Sequence, residues 1–274
     1  MWSFVVSVKR RLKRLRSEAL QGLAVLLAGQ CCCCGLASDT PYPLCSHCSA
    51  DLPRVDHPCG RCGLSCVAAK PDEPQPTEGW KESNASDAQR LCSGCLLTPL
   101  DFDRCHSAFA YRSPIDKLVS GFKFNARSDN GAALSEQLCR SLRQRYRGAN
   151  DELPWPSAVV AVPLHPTRLR QRGFNQAEEI SKRVCHRLKL SNLSHAVYRP
   201  KQTAPQTELV SARERGRNLN GAFAVRLASE LAQHEHIAIV DDVVTTGSTV
   251  AELARTLRRV GVRRIDVWCL ARAE

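Results

Sequence analysis

The segment His236-IAIV-Asp241-Asp242-VVTTGST-Val250 constrains this chain more than any other. It runs from an apolar stretch through two carboxylates and a Thr/Gly/Ser turn into a helix-like segment. Ile237 to Val240 fits a buried parallel strand, and Leu253, Ala254, Leu257 and Val260 recur at helical spacing. The turn between them therefore falls at a helix N-terminus, where unpaired backbone N–H groups and the positive end of the helix dipole favour a phosphate. Gly247 permits close backbone approach, and Thr245, Thr246, Ser248 and Thr249 add hydroxyl donors. Asp241 and Asp242 would repel a phosphate. They suit the vicinal hydroxyls of a ribose, or a magnesium ion shared with a diphosphate. The plainer alternative is an ordinary strand, turn and helix with Ser248 or Thr249 as the N-cap. No GK[ST] sequence is present, which excludes a Walker-type phosphate loop.

A second stretch points to similar chemistry. The apolar Ala158 to Val162 is followed by Pro163-LHPTRLRQRGFNQ-Ala177, which reads as a strand, a proline-containing loop and a helix beginning near Asn175. The loop carries Arg168, Arg170 and Arg172, and guanidinium forks match phosphate oxygens bidentately. Taken alone it would read as a solvated basic loop. Beyond it, Arg199 to Ala224 is polar, basic and without apolar periodicity until Ala222, as expected of a long lid-like loop. Phe102 to Arg112 is expected as a strand, with helices over Ile115 to Asn125 and Ala132 to Tyr146. These would form a hood over the acceptor side, and Lys123 either faces the site or sits exposed at a helix end.

The N-terminal part is dominated by cysteine. Four CxxC pairs occur, Cys31/Cys34, Cys45/Cys48, Cys59/Cys62 and Cys92/Cys95. Two intervening residues let both thiolates of a turn face one tetrahedral zinc, so the repeated pairs read as zinc ribbons holding one or two structural ions. The simplest allocation places one metal on the first two pairs and another on the last two. Interleaved pairing, or substitution by Cys66, His47 or His57, stays open. A disulfide framework or buried free thiols are the alternatives. No secretory signal is recognisable, and Cys105, Cys139, Cys185 and Cys269 are scattered, which favours metal and a cytoplasmic location.

The expected organisation is a basic extension over 1–29, a double zinc ribbon over 30–100 and an α/β domain over 101–274. Ala68 to Arg90, rich in Pro, Glu, Ser and Asp, reads as a disordered insertion between the halves of the second ribbon. Within the extension, Ala19 to Ala28 is apolar but too short to span a bilayer, so no transmembrane segment is expected. A net charge of +12 favours polyanions, although the extension and the phosphate-binding loops account for much of it. Aromatic platforms for single-stranded nucleic acid are few, with only Tyr42 and Trp80 in the Cys-rich part.

Together these motifs resemble the ComF/GntX family of bacterial competence and DNA-utilisation proteins, over about Cys31 to the C-terminus. The residues that carry the resemblance are Pro163 to Gln176, the Thr203 to Phe223 segment, and Val240 to Thr249. The acidic pair, hydroxyl-rich turn and helix also resemble the phosphoribosyl diphosphate (PRPP) motif of type I phosphoribosyltransferases. The resemblance implies a parallel sheet flanked by helices behind the zinc ribbon. It implies that Asp241 and Asp242 contact ribose and that Val243, Thr245, Thr246, Gly247, Ser248 and Thr249 cradle the 5-phosphate. Arg168, Arg172, Asn175 and Gln176 would match the diphosphate side, and Thr203, Gln206, Arg213, Arg217 and Asn218 the flexible loop. The candidates for catalysis are Asp241, Asp242 and Arg168, with zinc in the ribbon and magnesium accompanying PRPP. The implied activity is pentosyl transfer from PRPP to an unidentified acceptor in DNA uptake. One alternative is a non-catalytic PRPP or nucleotide sensor that engages single-stranded DNA, an uptake helicase or other competence proteins. Another is a nucleobase-salvage phosphoribosyltransferase.

Overall fold

The computed structural model describes residues 29–66, 91–124, 128–147, 153–201 and 219–273. The basic extension over 1–28, the insertion expected near 68–90 and the loop residues Thr203, Gln206, Arg213, Arg217 and Asn218 lie outside these ranges. Among the described residues, no helix is long and apolar enough to cross a membrane.

The architecture rests on a five-stranded, all-parallel sheet. Its strands are β1 (Arg104–Ala110), β2 (Ala158–Ala161), β3 (Ser191–Asn192), β6 (His236–Val244) and β7 (Arg264–Arg272), in the spatial order β1-β7-β6-β2-β3. A separate antiparallel pair is formed by β4 (Val197–Tyr198) and β5 (Ala224–Val225). Parallel neighbours need crossovers, and helices supply them. Helices α3 (Ile115–Phe124) and α4 (Ser128–Tyr146) lie between β1 and β2, α5 (Pro166–Arg172) and α6 (Gln176–Leu188) between β2 and β3, and α8 (Ser248–Arg258) between β6 and β7. The short α7 (Ala228–Leu231) precedes β6.

Both faces of the sheet are covered, as its apolar strands require. Successive side chains of β6 alternate: Ala238 and Val240 join Ile115, Leu134, Leu138 and Ile180 on one face. Ile237 and Ile239 join Leu253, Leu257 and Val267 on the other. Tyr146 donates to Asp266 Oδ2 at 2.6 Å and accepts from Trp268 Nε1 at 3.0 Å, so its buried hydroxyl is partnered both as donor and as acceptor.

The Cys-rich segment is joined to this core. Cys31, Leu44, Cys45 and Leu52 belong to the same buried cluster as Phe109 and Leu138. Two short helices, α1 (Ser46–Asp51) and α2 (Ser93–Leu97), each begin at a CxxC pair, with Cys45 and Cys92 as their N-cap residues. The segment also covers the free edge of β1, where Ala110 N–H donates to Pro53 O at 3.0 Å and Arg54 donates to Ala108 O at 3.0 Å. An edge strand left open would template unwanted pairing.

Two expectations change. The arginine-bearing stretch after β2 is helix α5 rather than a loop, because Pro166 occupies its first position, His165 Nδ1 accepts from Thr167 N–H at 3.2 Å, and Gly173 closes it in the left-handed region at φ 80°. Strand β6 does not stop at the acidic pair but continues through it to Val244, because β7 supplies a ladder partner up to Arg272.

Gly131 on α4 faces Phe122 so closely that a Cβ there would lie 2.5 Å from the ring. Gly131→Ala should therefore lower stability by about 1–3 kcal/mol, the usual cost of overpacking, as read by urea denaturation. An unchanged midpoint would contradict this helix packing.

Candidate functional site

The carboxyl ends of β2 and β6 and the start of α8 converge on one edge of the sheet. In open α/β sheets, crevices for ligands form at this edge. Asp241 and Asp242 lie near the carboxyl end of strand β6, followed by Val243 and Val244. Each carboxylate accepts the next backbone N–H, Asp241 from Asp242 at 2.9 Å and Asp242 from Val243 at 2.6 Å. Burial, and next the neighbouring Asp242 charge, push the Asp241 carboxyl up to about 7.

Asp242 is buried and forms an ion pair with Lys123 Nζ at 3.0 Å. Lys123 ends α3, so the hood helix reaches into the acidic pair instead of presenting the lysine to solvent. Phe122 and Phe174, whose ring centroids lie 5.5 Å apart, hold the end of α3 against the α5–α6 junction. At that junction Asn175 caps α6 by accepting from Ala177 N–H at 3.1 Å, and its amide nitrogen donates to Val162 O at 3.0 Å. Arg172 donates to Gln176 Oε1 at 3.1 Å.

The turn after β6 leaves Thr245 and Thr246 exposed and buries Gly247 at φ 79°. Gly247 is the residue capping α8 and has no side chain to cap it with, while Ser248 N–H donates to Thr246 Oγ1 at 3.4 Å. The reading of Ser248 or Thr249 as a plain N-cap therefore does not hold. Thr246 and Ser248 instead bond each other's hydroxyls at 2.9 Å. A helix N-terminus presents backbone N–H groups and a positive dipole end that favour an anion.

Arg168, on α5, is half-buried. A residue that the sequence reading treated only as the start of the lid, Arg199, is buried, with its guanidinium 5.3 Å from the centre of the Phe223 ring. Its pKa is brought down to about 10 by burial first and by the like charge of Arg168 next, with Asp241 opposing. Arg168, Arg199 and Asp241 thus share one electrostatic neighbourhood. The available signal is an arginine directly after the Ala196-Val197-Tyr198 stretch.

The eight paired cysteines form two groups, Cys31/Cys34/Cys45/Cys48 and Cys59/Cys62/Cys92/Cys95, each with its sulfurs within 4.8 Å of one another. Sequential pairing is therefore the arrangement found. In a tetrahedral zinc tetrathiolate with bonds of about 2.3 Å, sulfurs lie roughly 3.8 Å apart. The Cys34–Cys45 and Cys62–Cys92 separations of 3.9 and 3.6 Å fit this. All cysteines are free of disulfides.

The two groups repeat one design that the sequence reading overlooked. Cys31 N–H donates to Leu36 O and Gly35 N–H to Cys31 O, while Cys59 N–H donates to Leu64 O and Gly63 N–H to Cys59 O. Gly35 and Gly63 both take positive φ, 76° and 71°. The signal was the glycine following the second cysteine in each of CCCCG and CGRCG. Burial raises the Cys31 and Cys59 thiols, but backbone N–H groups, led by Cys34 and Cys62 respectively, outweigh it and bring both down to about 6. N–H donors aimed at sulfur stabilise the thiolate, the form that binds metal. Four thiolates per group can hold zinc as a folding staple and leave no open catalytic position.

Residues 169–274 match the phosphoribosyl transferase domain family. The chain is 37% identical over 231 residues to DNA utilization protein YhgH of Salmonella typhi, covering 84% of this chain and 91% of that protein. It is 32% identical to Competence protein F of Haemophilus influenzae, covering 84% and 90%. The chain belongs to this competence and DNA-utilisation family. Competence protein ComFC of Streptococcus pneumoniae is similar at 22% identity over 60% of this chain and 66% of that protein.

Cys95→Ser should remove about one of two zinc equivalents from protein purified under reducing conditions, read by metal analysis. An unaltered zinc content would count against the second group. For Asp241, the ordinary carboxyl value of 3.8 and the folded value of about 7 mean that the folded state keeps the proton between them. Stability contributed by this group is full below about pH 4 and falls as pH rises to about 7. Asp241→Asn should flatten the pH dependence of the urea midpoint over that window; identical profiles would show that the carboxyl titrates normally.

Proposed function

We propose that this protein binds PRPP at the carboxyl edge of its sheet, and that this binding serves the handling of DNA-derived material in a competence or DNA-utilisation system. The observation that carries the reading is the acidic pair of β6 followed at once by the glycine-started N-terminus of α8. A pentose 5-phosphate needs both: carboxylates for ring hydroxyls, and amides with a dipole for the phosphate. Thr245, Thr246, Ser248 and Thr249 would supply hydroxyl donors around that phosphate. Arg168, Arg172 and Arg199 supply the cationic side on which a diphosphate would rest.

Magnesium accompanying PRPP would be held with the help of Asp241 and Asp242 and would supply charge neutralisation for the diphosphate. In the resting protein Lys123 holds Asp242, so ligand binding requires the lysine to share or release that carboxylate. As the C1–O bond to diphosphate breaks and a bond from C1 to the acceptor forms, positive charge develops on the ribose, which the Asp241 and Asp242 carboxylates would stabilise. The proposed activity is accordingly pentosyl transfer. A sensing module that holds PRPP without turnover would use the same residues.

Hydrogen bonds to a charged partner contribute about 1.5–3 kcal/mol, so Asp241→Asn or Asp242→Asn should each weaken PRPP binding by roughly ten- to a hundredfold. Isothermal titration with PRPP and magnesium reads this, with zinc content as the control for folding. Equal affinity of wild type and variants would reject the site. Diphosphate release assayed with and without single-stranded DNA then separates the transferase from the sensor.

A further inference from the structure

Arg272, the last residue of β7, has no role in the reading above, yet its guanidinium is buried and joins two sites. Nε donates to Cys62 O at 2.8 Å, within the turn of the second cysteine group. Nη1 donates to Val244 O and to Ala273 O, both at 2.9 Å, and to Thr245 O. One planar cation thus grips a metal-binding turn with one edge and the base of the phosphate-facing loop with another.

This matters for how such a loop works. A backbone that binds an anion must aim N–H groups at it and turn carbonyls away. Arg272 fixes the Val244 and Thr245 carbonyls, the former together with Ala273 N–H at 3.0 Å, and it adds a buried positive charge at the base of the loop. Its reach is fixed from the other side. The Cys62 carbonyl keeps its position because Gly63 N–H donates to Cys59 O at 2.9 Å. That turn has no slack, since a Cβ on Gly63 would lie 3.1 Å from Cys105 O.

The same side of the molecule carries a second link. Phe102, just beyond the second cysteine group, is fully buried, and a Cβ on Gly247 would lie only 3.7 Å from its ring. Arg255 of α8 pairs with Asp101 at 2.8 Å, and Arg258 with Asp103 at 2.9 Å. The first cysteine group, in contrast, packs with Phe109 and Leu138 in the cluster on the other face of the sheet.

We infer that Arg272 is a positioning residue through which the second cysteine group, when it holds its metal, sets the anion-binding geometry of the Val244–Thr249 loop. This rests on the proposed phosphate role of that loop. Metal in the second group then acts on ligand affinity as well as on folding, and the two cysteine groups are not equivalent. The coupling is thermodynamic and so runs both ways: an anion seated in the loop should raise the affinity for that metal by the same factor.

The test uses the full-length zinc-loaded protein. Arg272→Met should keep both zinc ions by native mass spectrometry, while the amides of Thr245–Thr249 exchange with deuterium about tenfold faster, within the ordinary range of site-to-site coupling. Amides of β2 and α6 should be unchanged, a locality that general destabilisation would not give. Affinity for PRPP with magnesium should fall by a similar factor. Arg272→Lys, which keeps the charge but cannot span both carbonyl sets, should restore only part of each effect. Where Arg272→Met does not fold, stepwise chelation of the wild type decides the matter, with thiol alkylation reporting which cysteine group has opened. Loop amides should lose protection when Cys59, Cys62, Cys92 and Cys95 become alkylated. Loop exchange indifferent to Arg272 substitution, or to opening of that group, overturns the inference. Failure of every form to bind PRPP would instead reject the proposed function, while the exchange measurements still judge the coupling.

Discussion

The parallel register between β6 and β7 is the constraint from which the rest follows. By placing Val244 opposite Arg272 and Asp241 opposite Cys269, it sets how far β6 extends beyond its apolar run. The acidic pair is thereby held on extended backbone and not left on a loop. The turn to α8 starts one residue beyond the ladder, so its amides are aimed by the sheet itself. Apolar burial on both faces supplies the stability that lets this edge carry closely spaced charged groups.

Charge at the edge is balanced unevenly. Two adjacent carboxylates in a partly dry environment repel, and the protein answers in two ways: it gives Asp242 a lysine and leaves Asp241 inclined to keep its proton. Burial first, and then the like charge of Arg168, depresses the Arg199 pKa. A ligand carrying both hydroxyls and phosphates relieves both strains together, because anionic oxygens separate the arginines electrostatically and hydroxyls satisfy the acids.

Much of this was legible in the sequence, because the relevant signals are local. The apolar run at Ile237–Val240, the glycine at 247 and the CxxC spacings each specify geometry within a few residues. What escaped notice depends on pairs distant along the chain. Lys123 meets Asp242 only because α3 crosses the sheet and ends at its edge. Arg272 reads in sequence as the polar end of an apolar strand, and nothing near it announces Cys62 as a partner. Helix α5 was missed for a local reason: three arginines and a proline suggest a loop, yet proline at a first helical position and a capping histidine favour the opposite. The insertion and the polar segment around Thr203–Asn218 are read here from composition alone.

The second cysteine group draws its halves from Cys59/Cys62 and Cys92/Cys95, stretches far apart along the chain. With metal in place, these halves are clasped to each other by sulfur and pinned to the sheet by Arg272. Continuity of the polypeptide between them then becomes mechanically redundant. A protease that severed the intervening segment would leave two fragments still bound as one body, and the length of that segment is free to drift in evolution without disturbing the crevice.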